Sequence, residues 1–202
     1  RGLSINDNKL SIRYAKDRLE IREGESQLGA GEISYRAFGD LKSRDYVFQG
    51  KASNIDFANL PGNIKERMRR ALKLEEFPQG KLQNAAFWGE GRGGEAPSCE
   101  VEAQLFQLKY VKVYEDKLYI KLGYKDGIAQ IDKLEGEDEK GIFAFAGEVD
   151  FKGKNVEGDV EGMDIDIGKI AELFGVEGSK GYAYIRGKIS GGFTQPRFAG
   201  GV

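Results

Sequence analysis

The chain has 202 residues, with 31 basic and 33 acidic side chains, no His, one Cys, four Pro and 29 Gly. Without His there is no Ser-His-Asp triad, no imidazole general base and no His-ligated zinc or haem, and a lone Cys makes no disulfide framework, Cys-type zinc site or iron–sulfur centre. A net charge of −2 provides no phosphate-neutralising surface, which argues against nucleic acid as a partner.

Glycine is present at about twice its usual share of roughly 7%. It follows no Gly-x-y period and forms no linker-like runs, so it reads as turns and bulges. No stretch approaches the ~18 uninterrupted apolar residues of a membrane span. The chain begins on Arg1 rather than Met and is expected to be a piece of something longer.

In chain order, period-two alternation dominates. Leu3 and Ile5, then Leu10, Ile12 and Tyr14, then Leu19 and Ile21 keep one parity within short runs separated by Asn6-Asp7-Asn8 and Lys16-Asp17. That predicts a meander of strands on tight turns. Further strands are expected at 31–39, 46–48, 54–57, 101–108, 111–113, 118–122, 128–131, 142–145, 149–151 and 182–185. Hairpin-length connections make antiparallel pairing the default. Two segments change period. Over 60–74, Ile64, Met68, Ala71 and Leu72 share a helical face opposite Lys65, Arg67, Arg69, Arg70 and Lys73; a shorter helix is expected over 167–175.

The chain also resembles itself. Asp7–Arg13 can be laid on Glu115–Lys121, Asp17-Arg-Leu19 on Asp126-Gly-Ile128, and Gly31–Tyr35 on Gly141–Phe145. Asn54-Ile-Asp-Phe57 matches Asp164-Ile-Asp-Ile167, and Gly93–Cys99 matches Gly192–Phe198, in unbroken order. Two units of roughly 100 residues follow: residues 1–103, with the longer helix, and residues 104–202. No spacer separates them, so one continuous sheet is expected rather than two globules.

Each alternating strand has an apolar face that must be covered, and two modest helices cannot cover so many strands. Such a sheet has to curl on itself, stack on another sheet or bind something apolar. If it curls, the shared anchors face inward: Leu10 and Leu118, Ile12 and Ile120, Leu19 and Ile128, Ile33 and Phe143, Tyr35 and Phe145, Ile55 and Ile165, Phe57 and Ile167. Arg13 and Lys121, on the other parity, face water. A lipid suits such a groove, since burial is worth about 0.8 kcal/mol per CH₂ and a 16-carbon chain gains on the order of 10 kcal/mol before ordering costs.

No spacing identifies a catalytic carboxylate pair, a metal site or a cofactor fingerprint. Glu135–Glu139 lacks the spacing of a calcium loop, Gly89–Gly94 reads as a hairpin turn, and Cys99 reads as a small core residue. A structural or adhesive β-solenoid or sandwich with a closed core is the rival reading, and a carbohydrate-active enzyme a third.

The stretches Asp164–Gly175, Gly181–Gly191 and Gly192–Gly200 resemble the repeating unit of the TamB family, the large subunit of the bacterial translocation and assembly module, within the AsmA-like group. Asn54–Phe57 and Pro97 repeat the pattern in the first half, while Cys99-Glu100 and the long helix depart from it. The resemblance implies a mainly β fold: an elongated antiparallel sheet curled into a U-shaped, β-taco-like trough with an apolar inside. It further implies a place in the periplasm, in an envelope-spanning protein anchored at the inner membrane. Phospholipid passage, outer-membrane protein assembly beside a barrel partner, and contiguous repeats of the same chain are implied with it, and no enzymatic activity.

Overall fold

The computed structural model describes residues 9–71, 76–93, 95, 97–110, 113–138, 140–166, 180–193 and 195–201. These form one antiparallel sheet of twelve strands whose spatial order is their sequence order. The strands are β1 (Lys9–Ala15), β2 (Arg18–Leu28), β3 (Gly31–Asp40), β4 (Asp45–Asp56), β5 (Gln79–Gly91), β6 (Ser98–Tyr110), β7 (Val113–Lys125), β8 (Ile128–Glu137), β9 (Ile142–Asp150), β10 (Asn155–Asp166), β11 (Tyr182–Gly192) and β12 (Gln195–Gly201). At about 4.8 Å per strand the sheet is some 50 Å wide.

Between β4 and β5 lie a 3-10 turn (Phe57–Asn59) and the helix α1 (Gly62–Ala71). Asp56 caps the turn by accepting from the Ala58 N–H at 2.9 Å and from Asn59 Nδ2 at 3.1 Å. The helix expected over 60–74 begins at Gly62, two residues later, its expected end at 72–74 lies outside the described residues, and so do the helix expected over 167–175, Leu3 and Ile5. The unit boundary expected between residues 103 and 104 falls inside β6.

Register converts the alternation into two faces. One row runs across the sheet as Ile33, Ala52, Ala85, Ala103, Ile120, Leu134, Phe145 and Val160, each opposite the next. The next row reads Tyr35, Gly50, Phe87, Val101, Leu122, Ile131, Gly147, Gly158, Ile189 and Phe198. The intervening rows are polar, for example Glu32, Ser53, Asn84, Gln104, Tyr119, Glu135, Ala144, Glu161 and Arg186. No charged or polar side chain is buried among the described residues.

Glycine occupies apolar-face positions because aromatic rings need the space. A Cβ on Gly24 would run into the Tyr35 ring, one on Gly50 into Phe87, on Gly89 into Phe48, on Gly91 into Tyr46, on Gly136 into Phe143 and on Gly158 into Phe145. Each ring lies over a glycine on the adjacent strand. That arrangement shields backbone where a side chain is missing and accounts for part of the glycine content.

Local geometry recurs along the chain. Asp40 Oδ1 accepts from the Lys42 and Ser43 amides, as Asp150 Oδ1 does from Lys152 and Gly153. The two turns end on left-handed Arg44 and Lys154, and Asn54 and Asp164 are left-handed within β4 and β10. Asn and Asp tolerate that region because a short polar side chain can hydrogen-bond locally. The β1–β2 bulge at Ser11/Ile12 has its counterpart in β7–β8 at Lys121/Leu122.

The exposed area is 13950 Å², whereas a compact globule of this mass exposes about 9400 Å². Only Ala52, Ile55, Leu60, Ala103, Leu118 and Ala129 are buried apolar residues among those described. Replacing Gly50 by Ala, where the new methyl meets Phe87 and the Ser34 carbonyl, is expected to cost about 1–3 kcal/mol in urea unfolding. Gly123→Ala, whose Cβ meets nothing within 4 Å, is expected to be neutral or to stabilise by about 0.5 kcal/mol.

Candidate functional site

The feature that stands out chemically is the apolar face itself. Of the fourteen positions expected to face inward, the strand pairings put eleven on it. Leu10 stands opposite Gly24, Ile12 opposite Ile21, and Leu19 between Tyr14 and Gly39. Ile33, Tyr35 and Ile55 follow, opposite Ala52, Gly50 and Leu82. In the second half Leu118 opposes Leu105, Ile120 opposes Ala103, Phe143 opposes Gly136, Phe145 opposes Leu134 and Ile165 opposes Ala183. Arg13 and Lys121 lie on the polar face, opposite Glu20 and Glu102.

Two of the remaining positions differ. Ile128 pairs with Lys125 and Asp150 and so belongs to the polar face, while its neighbour Ala129 is buried on the apolar one. The correction is a one-residue slip. The turn residues Lys16-Asp17 correspond in backbone to Asp126-Gly127, which aligns Leu19 with Ala129. By the same bulge and turn, Leu10 corresponds to Ile120 rather than Leu118, a shift of two that leaves the face unchanged. Phe57 sits off the sheet in the 3-10 turn, its ring 6.0 Å from Phe77 and packed against the cluster of Ala52, Ile55 and Leu60. Ile167 lies outside the described residues.

Sequence reasoning missed Phe87, Leu122, Ile131 and Ile189 as members of this face. Counting glycine as an apolar-face residue would have exposed Phe87, Ile131 and Ile189, since each opposes one, and Leu122 lies between Val101 and Ile131 in the same row. Cys99 also belongs here, between Gly89 and Tyr124. Burial pushes its thiol up from its ordinary value, which disfavours the reactive thiolate and fits a packing role.

The face has two distinct ends. At one, the cluster of Ile55, Leu60, Phe57 and Phe77 closes against the turn before α1. At the other, aromatic rings form a rim: Tyr46 and Phe48 at 6.4 Å, and Tyr124, Phe151 and Phe193 in succession at 6.5 and 6.3 Å.

A hollow of about 980 Å³ is lined by residues of both faces: Arg36, Gln49, Lys51, Trp88 and Glu102 of the polar rows together with Tyr35, Gly50, Phe87, Val101 and Leu122 of the apolar one. Asp138, in the acidic run Glu135–Glu139, accepts from the Lys140 and Gly141 amides, and Glu137 pairs with Lys117 at 2.9 Å. The Gly-rich segment expected as a turn is partly strand, since β5 continues to Gly91.

Helix α1 carries the basic cluster. Glu66 accepts from Arg69 Nε at 2.9 Å and from Arg70 Nε at 2.6 Å, while Lys65 donates to the Ala58 carbonyl at 2.7 Å. Among the described residues no helix is long and apolar enough to cross a membrane, and no group of three or more His, Cys, Asp or Glu side chains is placed to hold a metal ion.

A scan against protein-family models finds no match, and searches of curated proteins and of solved structures find none either.

The hydrogen bonds from Arg69 and Arg70 lower the Glu66 carboxyl from 4.5 to about 2. A depressed folded-state value means that its contribution to α1 is complete above about pH 4.5 and is lost as the pH falls toward 2. An NMR titration is expected to place the Glu66 midpoint near 2, and Glu66→Gln to remove the acid-dependent loss of amide protection in α1. A midpoint near 4.5 would contradict the pairing.

Proposed function

We propose that this chain is a segment of a bacterial envelope-spanning protein of the TamB type, that its sheet curls around the apolar face, and that this face holds phospholipid acyl chains on their way between the inner and outer membranes. The observation that carries the reading is an apolar surface that continues row by row across twelve strands with no second layer laid on it among the described residues. A sandwich with a closed core needs such a layer, which favours the open reading over the structural alternative.

Curling is supported by bulges in β1–β2, β5–β6, β7–β8 and β10–β11, since each bends its strand. The matched turns and bulges support a duplicated unit, β1 to β6 followed by β7 to β12. The glycines leave the wall thin and smooth, and methyl and ring surfaces hold a chain without directional bonds. Such a surface binds acyl chains yet lets them slide. On this reading outer-membrane assembly and a barrel partner belong to the parent protein.

Photo-crosslinkers at Ile120 and at Phe143 are expected to capture phospholipid when the protein is made in bacteria, and native mass spectrometry to show co-purified lipid. Ile120→Asp should abolish capture by a crosslinker at Phe143, and Lys121→Asp should leave it unchanged. Equal effects of the two substitutions, or no captured lipid at either site, would defeat the proposal.

A further inference from the structure

Two turns at the same end of the strands repeat a charged module. Asp40-Leu41-Lys42-Ser43-Arg44 carries β3 into β4, and Asp150-Phe151-Lys152-Gly153-Lys154 carries β9 into β10. In each, the Asp carboxylate accepts from the amides two and three residues on. The apolar residue that follows ties the turn to its neighbour: the Leu41 N–H donates to the Asp17 carbonyl at 2.7 Å and the Phe151 N–H to the Gly127 carbonyl at 2.9 Å. Both turns close on a left-handed cation, Arg44 or Lys154. We propose that these two turns bind the phosphate of a phospholipid whose acyl chains lie on the apolar face, so that headgroups emerge along this rim of the sheet and not along the opposite one. The inference rests on the acyl-chain reading of that face and adds the direction in which the lipid lies on it.

Within this rim the carboxylates serve the backbone and the cations do not. The Lys42 and Ser43 amides hold the Asp40 carboxyl below its ordinary value, with Arg18 Nε 3.8 Å away, and Asp45 accepts from the Gly93 amide at 3.0 Å. The two-residue turns are balanced, with Lys16 beside Asp17 and Lys125 beside Asp126. Lys42, Arg44, Lys152 and Lys154 are exposed and make no ion pair among the described residues. Because the turn amides are occupied by Asp, a phosphate is held by side-chain charge, with the Arg44 fork able to take two of its oxygens. The alcohol esterified to that phosphate goes unread. The rings of the apolar face gather at the same rim: Tyr14, Tyr46 and Tyr124 each stand two residues from a turn, and Phe151 packs between Tyr124 and Phe193. A ring with a polar tip suits the boundary between acyl chain and headgroup.

The opposite end is built differently. Glu135, Glu137 and Asp138 crowd the connection from β8 to β9, where they repel a phosphate. Before α1 the cluster of Ile55, Phe57 and Leu60 closes the apolar face. Of the basic residues of α1, Arg69 and Arg70 are engaged by Glu66, and Lys65 by the Ala58 carbonyl. The two cationic turns are six strands apart, about 29 Å along the rim, so one continuous apolar face serves two phosphate stations.

Nitroxide labels placed beyond the two ends of β8 test the direction. In a Cys99→Ser background loaded with phosphatidylglycerol, a label introduced by Lys125→Cys is expected to broaden the phosphorus NMR resonance of bound lipid more than one introduced by Lys140→Cys. Equal broadening, or the reverse order, would overturn the proposal. Competition between lipids on the full chain separates it from the reading it rests on. The unaltered protein is expected to prefer phosphatidylglycerol several-fold over a diacylglycerol with the same acyl chains at low salt. Lys42→Gln, Arg44→Gln, Lys152→Gln and Lys154→Gln together should remove that preference and leave diacylglycerol binding intact. Four Lys→Gln changes at the opposite end, at Lys81, Lys109, Lys117 and Lys140, should leave the preference in place. Diacylglycerol bound as well as phosphatidylglycerol by the unaltered protein, or equal losses from the two sets of substitutions, would overturn the rim while the acyl-chain reading stands. Failure to bind either lipid would defeat both.

Discussion

A strand that alternates apolar and polar residues gathers all its apolar side chains on one face, and that face has to be kept from water. In this chain the demand is repeated twelve times in one layer, and α1 lies at one end of the strands rather than over them. The other features of the sheet follow from that mismatch. Rings are laid across glycines so that apolar atoms shade one another within the face, and bulges break the strands at recurring places. Residues such as Ile33, Ile120 and Phe145 come out half-buried with no partner layer above them among the described residues.

The energetics differ from those of a globule with a single core. Six buried apolar residues among those described fall short of the usual hydrophobic core, and contacts between neighbouring strands carry the described sheet, as in repeat proteins whose units stabilise each other in sequence. The ion pairs are exposed, and pairs of that kind are worth roughly 0–1 kcal/mol. Glycine has a double part here. It costs conformational entropy in a strand, but it admits the ring of the next strand and lets the sheet bend. On the proposed reading an acyl chain adds the missing layer, which makes the ligand a transient part of the core.

How much was legible in the sequence varied with how the alternation was written. Where it was written in Leu, Ile and Tyr, as in β1, β3 and β7, both strand and face were readable. In β10 the apolar positions are Val156, Gly158, Val160 and Gly162, and a reading that treats glycine as a turn residue sees no strand there. In β5 the run Ala85-Ala86-Phe87-Trp88 is apolar on both faces, because Trp88 joins Phe38 and Val47 on the polar side, so the period disappears. The slip at Ile128 arose because composition shows that a turn exists but not which residue begins the next strand. Only the backbone of Asp126-Gly127 decides that. Runs read as separate strands, at 46–48 and 54–57, are the two ends of the single long strand β4.

The most direct test of the account is whether acyl chains touch the apolar face and no other surface. With the protein deuterated except for Ile, Leu and Val methyls and loaded with a protonated phospholipid, intermolecular NOEs from chain methylenes are predicted at Ile33, Ile120, Leu122 and Ile131. None is predicted at Ile128, three residues from Ile131 along β8 but on the polar face. NOEs at Ile128 equal to those at Ile131, or none at any methyl of the apolar face, would contradict the central claim.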